Sequence, residues 1–246
     1  MSITGRIHSV ETCGTTDGPG IRYILFMQGC LMRCKYCHNR DTWATKGGYE
    51  LSVEDVMKDV RRYRRFFKSS GGGITASGGE ASLQPAFIGA LFEAARKDGI
   101  HTCLDTNGYI KRYTSEITAM IDATALMLLD IKQMNDEKHI ELTKVTNRYT
   151  LKLAQYLADI NKPAWIRYVV VAGWTDADED IRALGEFLQP MQNIEKVELL
   201  PFHQLGSHKW EVFRDNYEFK ELKPPSKESL DHIVAALGEY GVTATY

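Results

Sequence analysis

Six short apolar segments alternate with amphipathic helical patterns along most of this 246-residue chain. Strands are predicted at 21–27, 73–77, 101–105, 125–131, 164–171 and 195–200. Helices are predicted to begin after Ser52, at Pro85 and after Asp176, with others at 114–122, 136–143, 147–159 and 226–239. Because apolar strands that alternate with helices form parallel sheets covered by helices, the predicted fold class is α/β. Residues 1–20 are predicted to be an irregular lead-in with a short β segment, 21–200 six β/α units, and 201–246 a C-terminal segment with a helix and a possible edge strand at 242–246.

The composition excludes several classes of protein. The length suits one α/β domain, so residues 1–246 are predicted to form a single domain. A net charge of −2 and a pI near 6.4 are not typical of a nucleic-acid-binding domain. The first residues contain no apolar signal-peptide core, and no apolar run reaches the length of a membrane span. Five cysteines, three of them clustered, do not fit a secreted disulfide framework. We therefore expect a cytoplasmic monomer that binds neither nucleic acid nor membrane.

Three cysteines lie in one short loop directly after the first predicted strand. Cys30, Cys34 and Cys37 have the spacing C-x3-C-x2-C, which indicates a metal site. A [4Fe–4S] cluster held by three cysteines leaves one iron open to a substrate or cofactor. The alternatives are three ordinary buried cysteines, or a zinc site that adds His38, although a ligand next to Cys37 makes tetrahedral coordination awkward. Cys13 and Cys103 have no partner at a cluster-like spacing.

Polar residues follow the carboxyl ends of the other predicted strands. They are Gly78-Gly79-Glu80, Asp105-Thr106-Asn107, Asp130 with Lys132, Arg167 and His203. Since active-site residues of parallel β/α folds collect at these ends, we expect them to converge. Two acids at neighbouring strand ends can bind a cation. The ordinary alternatives are a glycine turn, aspartates that cap the following helices, and a structural histidine.

The cysteine loop and its surroundings resemble the radical S-adenosylmethionine (SAM) superfamily. The cysteine spacing, with Tyr36 before the third cysteine, is similar to that family's signature. The segments Asp17-Gly18-Pro19-Gly20-Ile21-Arg22, Gln28-Gly29-Cys30 and Cys37-His38-Asn39 resemble the activases of glycyl-radical enzymes, and the likeness extends from Arg6 to the C-terminus. The resemblance implies a partial (β/α)6 barrel open on one side. It also implies an enzyme that cleaves SAM reductively at a [4Fe–4S] cluster and removes a hydrogen from a glycine Cα of another protein.

The resemblance also implies a role for each candidate site residue. Cys30, Cys34 and Cys37 would hold the cluster. SAM would contact Tyr36, Cys37, His38, Gly78, Gly79, Glu80, Asp130, Ile131, Lys132 and His203. A monovalent cation would bind Asp105, Thr106, Asp130 and the backbone carbonyl of Leu128. Asp17 and Arg167 would hold the backbone of the incoming glycine loop, although Asp-Gly-Pro is also ordinary turn chemistry.

Two sequence features bear on the partner proteins: a segment without cysteines and a run of basic residues. Residues 39–72 contain no cysteine, so the ferredoxin-like insert of many such activases is missing. This favours pyruvate formate-lyase as the partner, with a different glycyl-radical enzyme as the alternative. The basic run from Arg61 to Lys68 is either a solvated face or a dock for an acidic electron donor such as flavodoxin. A non-catalytic zinc protein, colourless and without SAM affinity, is the alternative from another class.

Overall fold

The computed structural model describes residues 3–246, which form two compact units. The first unit contains residues 3–31, together with Thr42–Thr106 and Ile110–Leu128. The second contains Met32–Asp41, Asn107–Tyr109 and Leu129–Tyr246. None of the helices in the described residues is both long and apolar enough to cross a membrane.

The sheet of the first unit combines antiparallel and parallel pairs. β1 (Thr4–Gly14) is antiparallel to both β2 (Arg22–Met27) and β3 (Tyr49–Ser52). β2 then pairs in parallel with β4 (Gly73–Gly78), and β4 pairs in parallel with β5 (His101–Thr106). The lead-in was predicted to hold only a short β segment, but backbone pairing on both sides makes an 11-residue strand of Thr4–Gly14. The short β3 was not predicted.

Two helices of the first unit begin where Ser52 and Pro85 predict. α1 (Val53–Val60) follows Ser52, which forms a reciprocal capping box with Asp55. A 3₁₀ turn at Arg61–Tyr63 separates α1 from α2 (Arg64–Ser70), so the single long helix predicted here is interrupted. α3 (Pro85–Lys97) and α4 (Ser115–Ala123) complete the set. The apolar faces of α1 to α3 are buried, as predicted.

β6 (Leu126–Asp130) leads into the second unit. The elements after it are α5 (Asp136–Thr143), α6 (Arg148–Asp159), β7 (Ala164–Val170), α7 (Asp178–Leu188), β8 (Ile194–Pro201), α8 (Ser207–Val212), α9 (Lys227–Gly238) and β9 (Ala244–Thr245). β8 pairs in parallel with both β7 and β9. The short α8 was not predicted.

The predicted helix cap at Asp176 was wrong. Ala177 occupies the N-cap position of α7, and its side chain makes no capping hydrogen bond. The Asp176 carboxylate instead accepts a hydrogen bond from the backbone N–H of Gly173 at 2.7 Å. The carboxylate therefore stabilises the turn before the helix, and Asp178, Glu179 and Asp180 in the first turn of α7 complement the helix dipole.

Candidate active site

The first cysteine of the loop is held at the carboxyl end of β2. Cys30 is buried, and its backbone N–H donates to the carbonyl of Trp43 at 3.3 Å. The neighbouring Gly29 N–H donates to Thr42 at 2.8 Å. The Gly29 carbonyl accepts from the Glu80 N–H at 2.7 Å, so the turn after β4 is bonded directly to the start of the cysteine loop.

The turn after β4 requires glycine because its backbone packs against β2 and the cysteine loop. Gly78 has a φ of +105°, and the Gly79 N–H donates to Met27 at 3.0 Å. A Cβ on Gly79 would lie 2.3 Å from the Gly29 carbonyl oxygen. Only a residue without a side chain allows this approach. The predicted glycine turn is confirmed, and its backbone borders the cysteine loop.

The Glu80 carboxylate accepts hydrogen bonds from two neighbouring residues of the protein. It is buried and accepts from the Ser82 N–H at 2.9 Å and from the Thr106 hydroxyl at 2.6 Å. Beside it, the Asp105 carboxylate accepts from the Ser77 hydroxyl at 2.5 Å. Two hydrogen bonds between side chains therefore join the end of β4 to the end of β5, one from Thr106 to Glu80 and one from Ser77 to Asp105.

N-capping does not account for Asp105 or Asp130. α4 is capped by Thr114, whose side chain accepts from the Ile117 N–H. α5 is capped by Asn135, whose side chain accepts from the Lys138 N–H. The capping alternative for the two aspartates was therefore wrong, and both carboxylates lie at strand ends.

The second unit contains a buried group of opposite charges beside two cysteines. The Lys132 ammonium donates to Asp130 at 2.9 Å and lies 5.7 Å from the centre of the Tyr36 ring. Burial alone would lower the pKa of Lys132, but Asp130, Tyr36 and Cys34 raise it well above its usual value. Lys132 is therefore charged at neutral pH. Burial raises the pKa of the Cys34 thiol to about 12, although Lys132 opposes the shift.

The residues around Cys34 and Cys37 fit a metal–sulfur group. The buried hydroxyls of Tyr36 and Tyr217 have no hydrogen-bond partner among residues 3–246. Burial raises the pKa of both tyrosines, so both keep an O–H to donate. The sulfur atoms of a cluster accept such hydrogen bonds.

His38 and His203, both predicted as SAM contacts, lie against each other. Their rings stack with centres 4.1 Å apart, and Nε2 of His38 lies 2.8 Å from the His203 carbonyl oxygen. Burial lowers the pKa of His38, so it is neutral at neutral pH with Nε2–H as donor. The two histidines are thus brought together, which sequence spacing alone does not indicate.

Two further contacts join the cysteine loop to the region after β8. The indole N–H of Trp210 donates to the Cys37 carbonyl at 2.9 Å. The Lys209 ammonium donates to the Asp41 carboxylate at 3.0 Å. Both residues lie in α8, which sequence reasoning missed because a six-residue helix with no apolar period leaves no pattern to find.

Asp17 lies in a turn that is linked through Thr75 to a buried arginine, Arg22. The Thr75 hydroxyl donates to the Asp17 carbonyl at 2.7 Å and accepts from Nε of Arg22 at 2.9 Å. Arg22 is fully buried, and this burial lowers its pKa to about 10. The backbone of Asp17 is therefore fixed by interactions that turn chemistry alone does not provide.

The two cysteines outside the loop differ in exposure. Cys103 is buried, as expected of a small apolar residue, whereas Cys13 is exposed.

Arg167 lies on β7 directly opposite Glu198 on β8. Nε of Arg167 is 3.7 Å from Oε2 of Glu198, and the other carboxylate oxygen binds Lys196 at 2.8 Å. The Arg167 carbonyl accepts from the Ile131 N–H at 3.1 Å. Arg167 is thereby tied to the strand end that carries Asp130 and Lys132.

Each unit brings a separate set of predicted residues together. In the first unit they are Cys30, Gly78, Gly79, Glu80, Asp105 and Thr106, with Leu128 buried in β6. In the second they are Cys34, Tyr36, Cys37, Asp130, Ile131, Lys132 and Arg167, with His38 beside His203. Among residues 3–246, no three His, Cys, Asp or Glu side chains meet around one point where a single ion could bind. The thiolates of a [4Fe–4S] cluster each bind a different iron, so they do not need to meet in this way.

A family model described as the radical SAM superfamily matches residues 24–185. The match covers well over half of the chain, which therefore belongs to the radical SAM superfamily. Membership implies a [4Fe–4S] cluster and SAM as cofactors, and it confirms the prediction of an enzyme. The alternative of a non-catalytic zinc protein was wrong.

Two curated relatives show which family within the superfamily the chain belongs to. "Pyruvate formate-lyase 1-activating enzyme" of Escherichia coli (strain K12) is 56% identical over 241 residues, which are 98% of each chain. "Pyruvate formate-lyase-activating enzyme" of Staphylococcus epidermidis is 45% identical over 233 residues, 93% of each chain. Within the superfamily, the chain thus belongs to the pyruvate formate-lyase-activating enzymes.

Solved structures confirm the fold class. A domain of a pyruvate-formate lyase-activating enzyme from Bacteroides vulgatus is 27% identical, with a TM-score of 0.60 over 71% of this chain and 98% of that one. Streptococcus suis SuiB bound to precursor peptide SuiA is 14% identical, with a TM-score of 0.69 over 91% of this chain and 48% of that one, and shows the fold alone. The α/β fold has an open sheet of mostly parallel strands, in keeping with the predicted partial barrel.

Proposed function

We propose that this protein activates pyruvate formate-lyase (formate C-acetyltransferase) by installing a radical on one of its glycines. The observation that carries the proposal is the close, nearly full-length similarity to activating enzymes of that lyase. Cys30, Cys34 and Cys37 would hold a [4Fe–4S] cluster, and that cluster would supply the one-electron reductive cleavage of SAM by which a hydrogen atom is removed from the glycine Cα. A different glycyl-radical enzyme remains the second candidate partner.

Cys30, Cys34 and Cys37 hold the cluster and leave one iron open for SAM. The backbone of the Gly78-Gly79-Glu80 turn binds SAM, because the Glu80 carboxylate is already used by Ser82 and Thr106. In the second unit the remaining SAM contacts come from Tyr36, Cys37, His38, Asp130, Ile131, Lys132 and His203. The buried charge of Lys132 suits the carboxylate of SAM.

A monovalent cation binds Asp105, Thr106, Asp130 and the carbonyl of Leu128. Two contacts support this assignment. The Thr106 hydroxyl donates its hydrogen to Glu80, so its oxygen keeps lone pairs for a cation. Neither aspartate is used to cap a helix. Hard oxygen ligands of this kind suit a hard cation.

Asp17 and Arg167 hold the backbone of the partner's glycine loop. The fixed Asp17 turn and the ion-paired Arg167 side chain are each prepared within the protein before a peptide arrives. Arginine suits this role because its planar fork of N–H donors matches backbone carbonyls. A glycine loop enters such a site easily because it carries no side chain at the reacting carbon.

The protein works as a cytoplasmic monomer of one radical SAM domain, and flavodoxin or a similar acidic protein supplies the electron.

The basic run from Arg61 to Lys68 lies far from the position of Cys30 within the first unit. Arg61 and Arg64 pair with Asp98, just before β5 begins, whereas Cys30 follows the end of β2. A six-residue strand is roughly 20 Å long, so the run lies at the opposite end of the sheet. This favours the interpretation of the run as a solvated face.

Reversing two charges of the run tests this interpretation. The double variant Arg62→Glu and Arg65→Glu is expected to be reduced by flavodoxin within about twofold of the wild-type rate, because the mutated face lies at the far end of the sheet from Cys30. Anaerobic stopped-flow absorbance of the cluster measures the rate, at low and at high salt. A rate that falls tenfold at low salt and recovers at high salt would instead identify the run as the electron-donor dock.

The proposed function is tested with the reconstituted protein under strictly anaerobic conditions. The reduced holoenzyme is mixed with SAM and pyruvate formate-lyase, and 5′-deoxyadenosine and the EPR spectrum are recorded. We expect 5′-deoxyadenosine together with a glycyl radical on the lyase. Cleavage of SAM without that radical would retain the enzyme class and reject this partner. A Gly→Ala change at the lyase's radical position is the control that must remove the EPR signal.

A further inference from the structure

A segment far along the chain covers the third cysteine. We call residues 203–217, from His203 to Tyr217, the C-terminal brace. It contacts all five residues from Cys37 to Asp41. Trp210 binds the Cys37 carbonyl, His203 stacks on His38, Asp215 binds Arg40, and the Lys209 ammonium binds both Asn39 and Asp41. The brace and this half of the cysteine loop belong to the same compact unit.

The brace is anchored by charge on both sides of its aromatic centre. Lys209 pairs with Asp41 on one side, and Asp215 forms a close ion pair with Arg40 on the other. The Arg40 guanidinium also lies 4.7 Å from the centre of the Phe213 ring. Two pairs that cross from loop to brace restrict how the brace can shift along the loop.

Two aromatic side chains fill the space between these anchors. Trp210 and Tyr217 are 7% and 6% exposed, and their ring centres lie 5.2 Å apart. The Trp210 indole N–H binds the Cys37 carbonyl at 2.9 Å, which fixes the backbone of this cysteine. Tyr217 therefore packs beside the residue that holds Cys37 in place.

The Tyr217 hydroxyl is a donor with no acceptor in the part of the chain that the structure describes. Its oxygen is buried and has no hydrogen-bond partner among residues 3–246. Its ring packs against Trp210, which binds the Cys37 carbonyl, so the hydroxyl belongs to the part of the brace that covers this cysteine. Buried hydroxyls nearly always have a partner, and a sulfur of the cluster or its ligand would provide one here.

We propose that Trp210 and Tyr217 are positioning residues for the cluster ligand Cys37. The Tyr217 hydroxyl donates a hydrogen bond to a sulfur atom of the cluster or of its ligand, and this bond raises the reduction potential of the cluster. The positive end of the O–H dipole stabilises the reduced cluster, which carries one more negative charge than the oxidised one. The inference rests on the proposed function, because it requires a cluster on Cys37.

The test compares Tyr217→Phe with the wild type and with Tyr246→Phe. The first change keeps the ring and removes only the buried hydroxyl, whereas Tyr246 lies at the surface, where its hydroxyl binds Asp231. Each reconstituted protein is checked for iron and sulfide content. Its midpoint potential is then determined by a redox titration followed by EPR, without the lyase. A second variant, Trp210→Phe, is tested for the rate at which a chelator removes iron.

We expect Tyr217→Phe to retain a full cluster with a more negative midpoint potential, while Tyr246→Phe matches the wild type. Trp210→Phe is expected to lose iron to the chelator several-fold faster. An unchanged potential in Tyr217→Phe would overturn the inference, as would failure of this variant to hold a cluster, since phenylalanine fills the same space. A wild-type protein that takes up no cluster would instead reject the proposed function.

Discussion

Replacing Cys34 by alanine is expected to abolish both the bound cluster and the cleavage of SAM. Cys34 is buried beside Lys132 and Asp130, so no water or surface side chain can take its place as a ligand. Two cysteines cannot hold a [4Fe–4S] cluster with one open iron. Iron content, the visible absorbance of the cluster and the yield of 5′-deoxyadenosine should all fall to background.

A matched control comes from the cysteines that lie outside the loop. Cys13 is exposed and lies on β1, so Cys13→Ala should keep wild-type iron content and activity. Circular dichroism of Cys34→Ala must show that the fold persists. If the folded Cys34→Ala protein still cleaved SAM at a substantial fraction of the wild-type rate, the assignment of the three cluster ligands would be wrong.

Gly79→Ala is expected to weaken SAM binding about 10-fold or more. The new Cβ would lie 2.3 Å from the Gly29 carbonyl oxygen, and a backbone atom cannot rotate away as a flexible side chain does. The turn after β4 must then move away from the start of the cysteine loop, which strains the bond from the Glu80 N–H to Gly29. Overpacking of this kind costs about 1–3 kcal/mol, and about 1.4 kcal/mol is tenfold in affinity. Equilibrium binding of SAM to the reconstituted protein measures the effect.

Gly238→Ala is the control for the glycine change. A Cβ at this position in α9 meets no atom within 4 Å, so SAM affinity should not change. Alanine also suits a helix better than glycine, so a small gain in thermal stability is expected. Wild-type SAM affinity in Gly79→Ala would show that the turn does not border the SAM site.

The elements that carry the site could be predicted because local chemistry specifies them. Ser52 and Pro85 mark the starts of α1 and α3, and apolar runs mark the buried strands. The polar residues after these strands then follow from strand direction. That reasoning correctly brings Glu80 and Thr106 together.

The missed elements depend on partners rather than on local pattern. β1 mixes exposed and buried residues without regular alternation, and it is a strand because β2 and β3 pair with its two edges. At the start of α7, Asp176 had the right residue type for a cap but binds the turn at Gly173 instead. In both cases, the structure depends on which backbone groups lie close enough to form a hydrogen bond with the segment or side chain.

The contacts of the C-terminal brace also lie beyond sequence reasoning. Nothing in the local sequence of Trp210 points to Cys37, because the two residues are 173 positions apart. The stacked pair of His38 and His203 is similarly distant, at 165 positions. Such contacts form only when the intervening strands and helices have brought two distant segments together.

This separation has a consequence for how the protein is made. Ribosomes add roughly 5–20 residues per second, so the 173 positions between Cys37 and Trp210 take roughly 9–35 s to synthesise. Once the third cysteine has left the ribosome, the residues that cover it do not yet exist for the rest of that interval. The thiols therefore pass through a period of exposure during every round of translation. Assembly machinery that delivers iron and sulfide has its easiest access then, and oxygen has the same access.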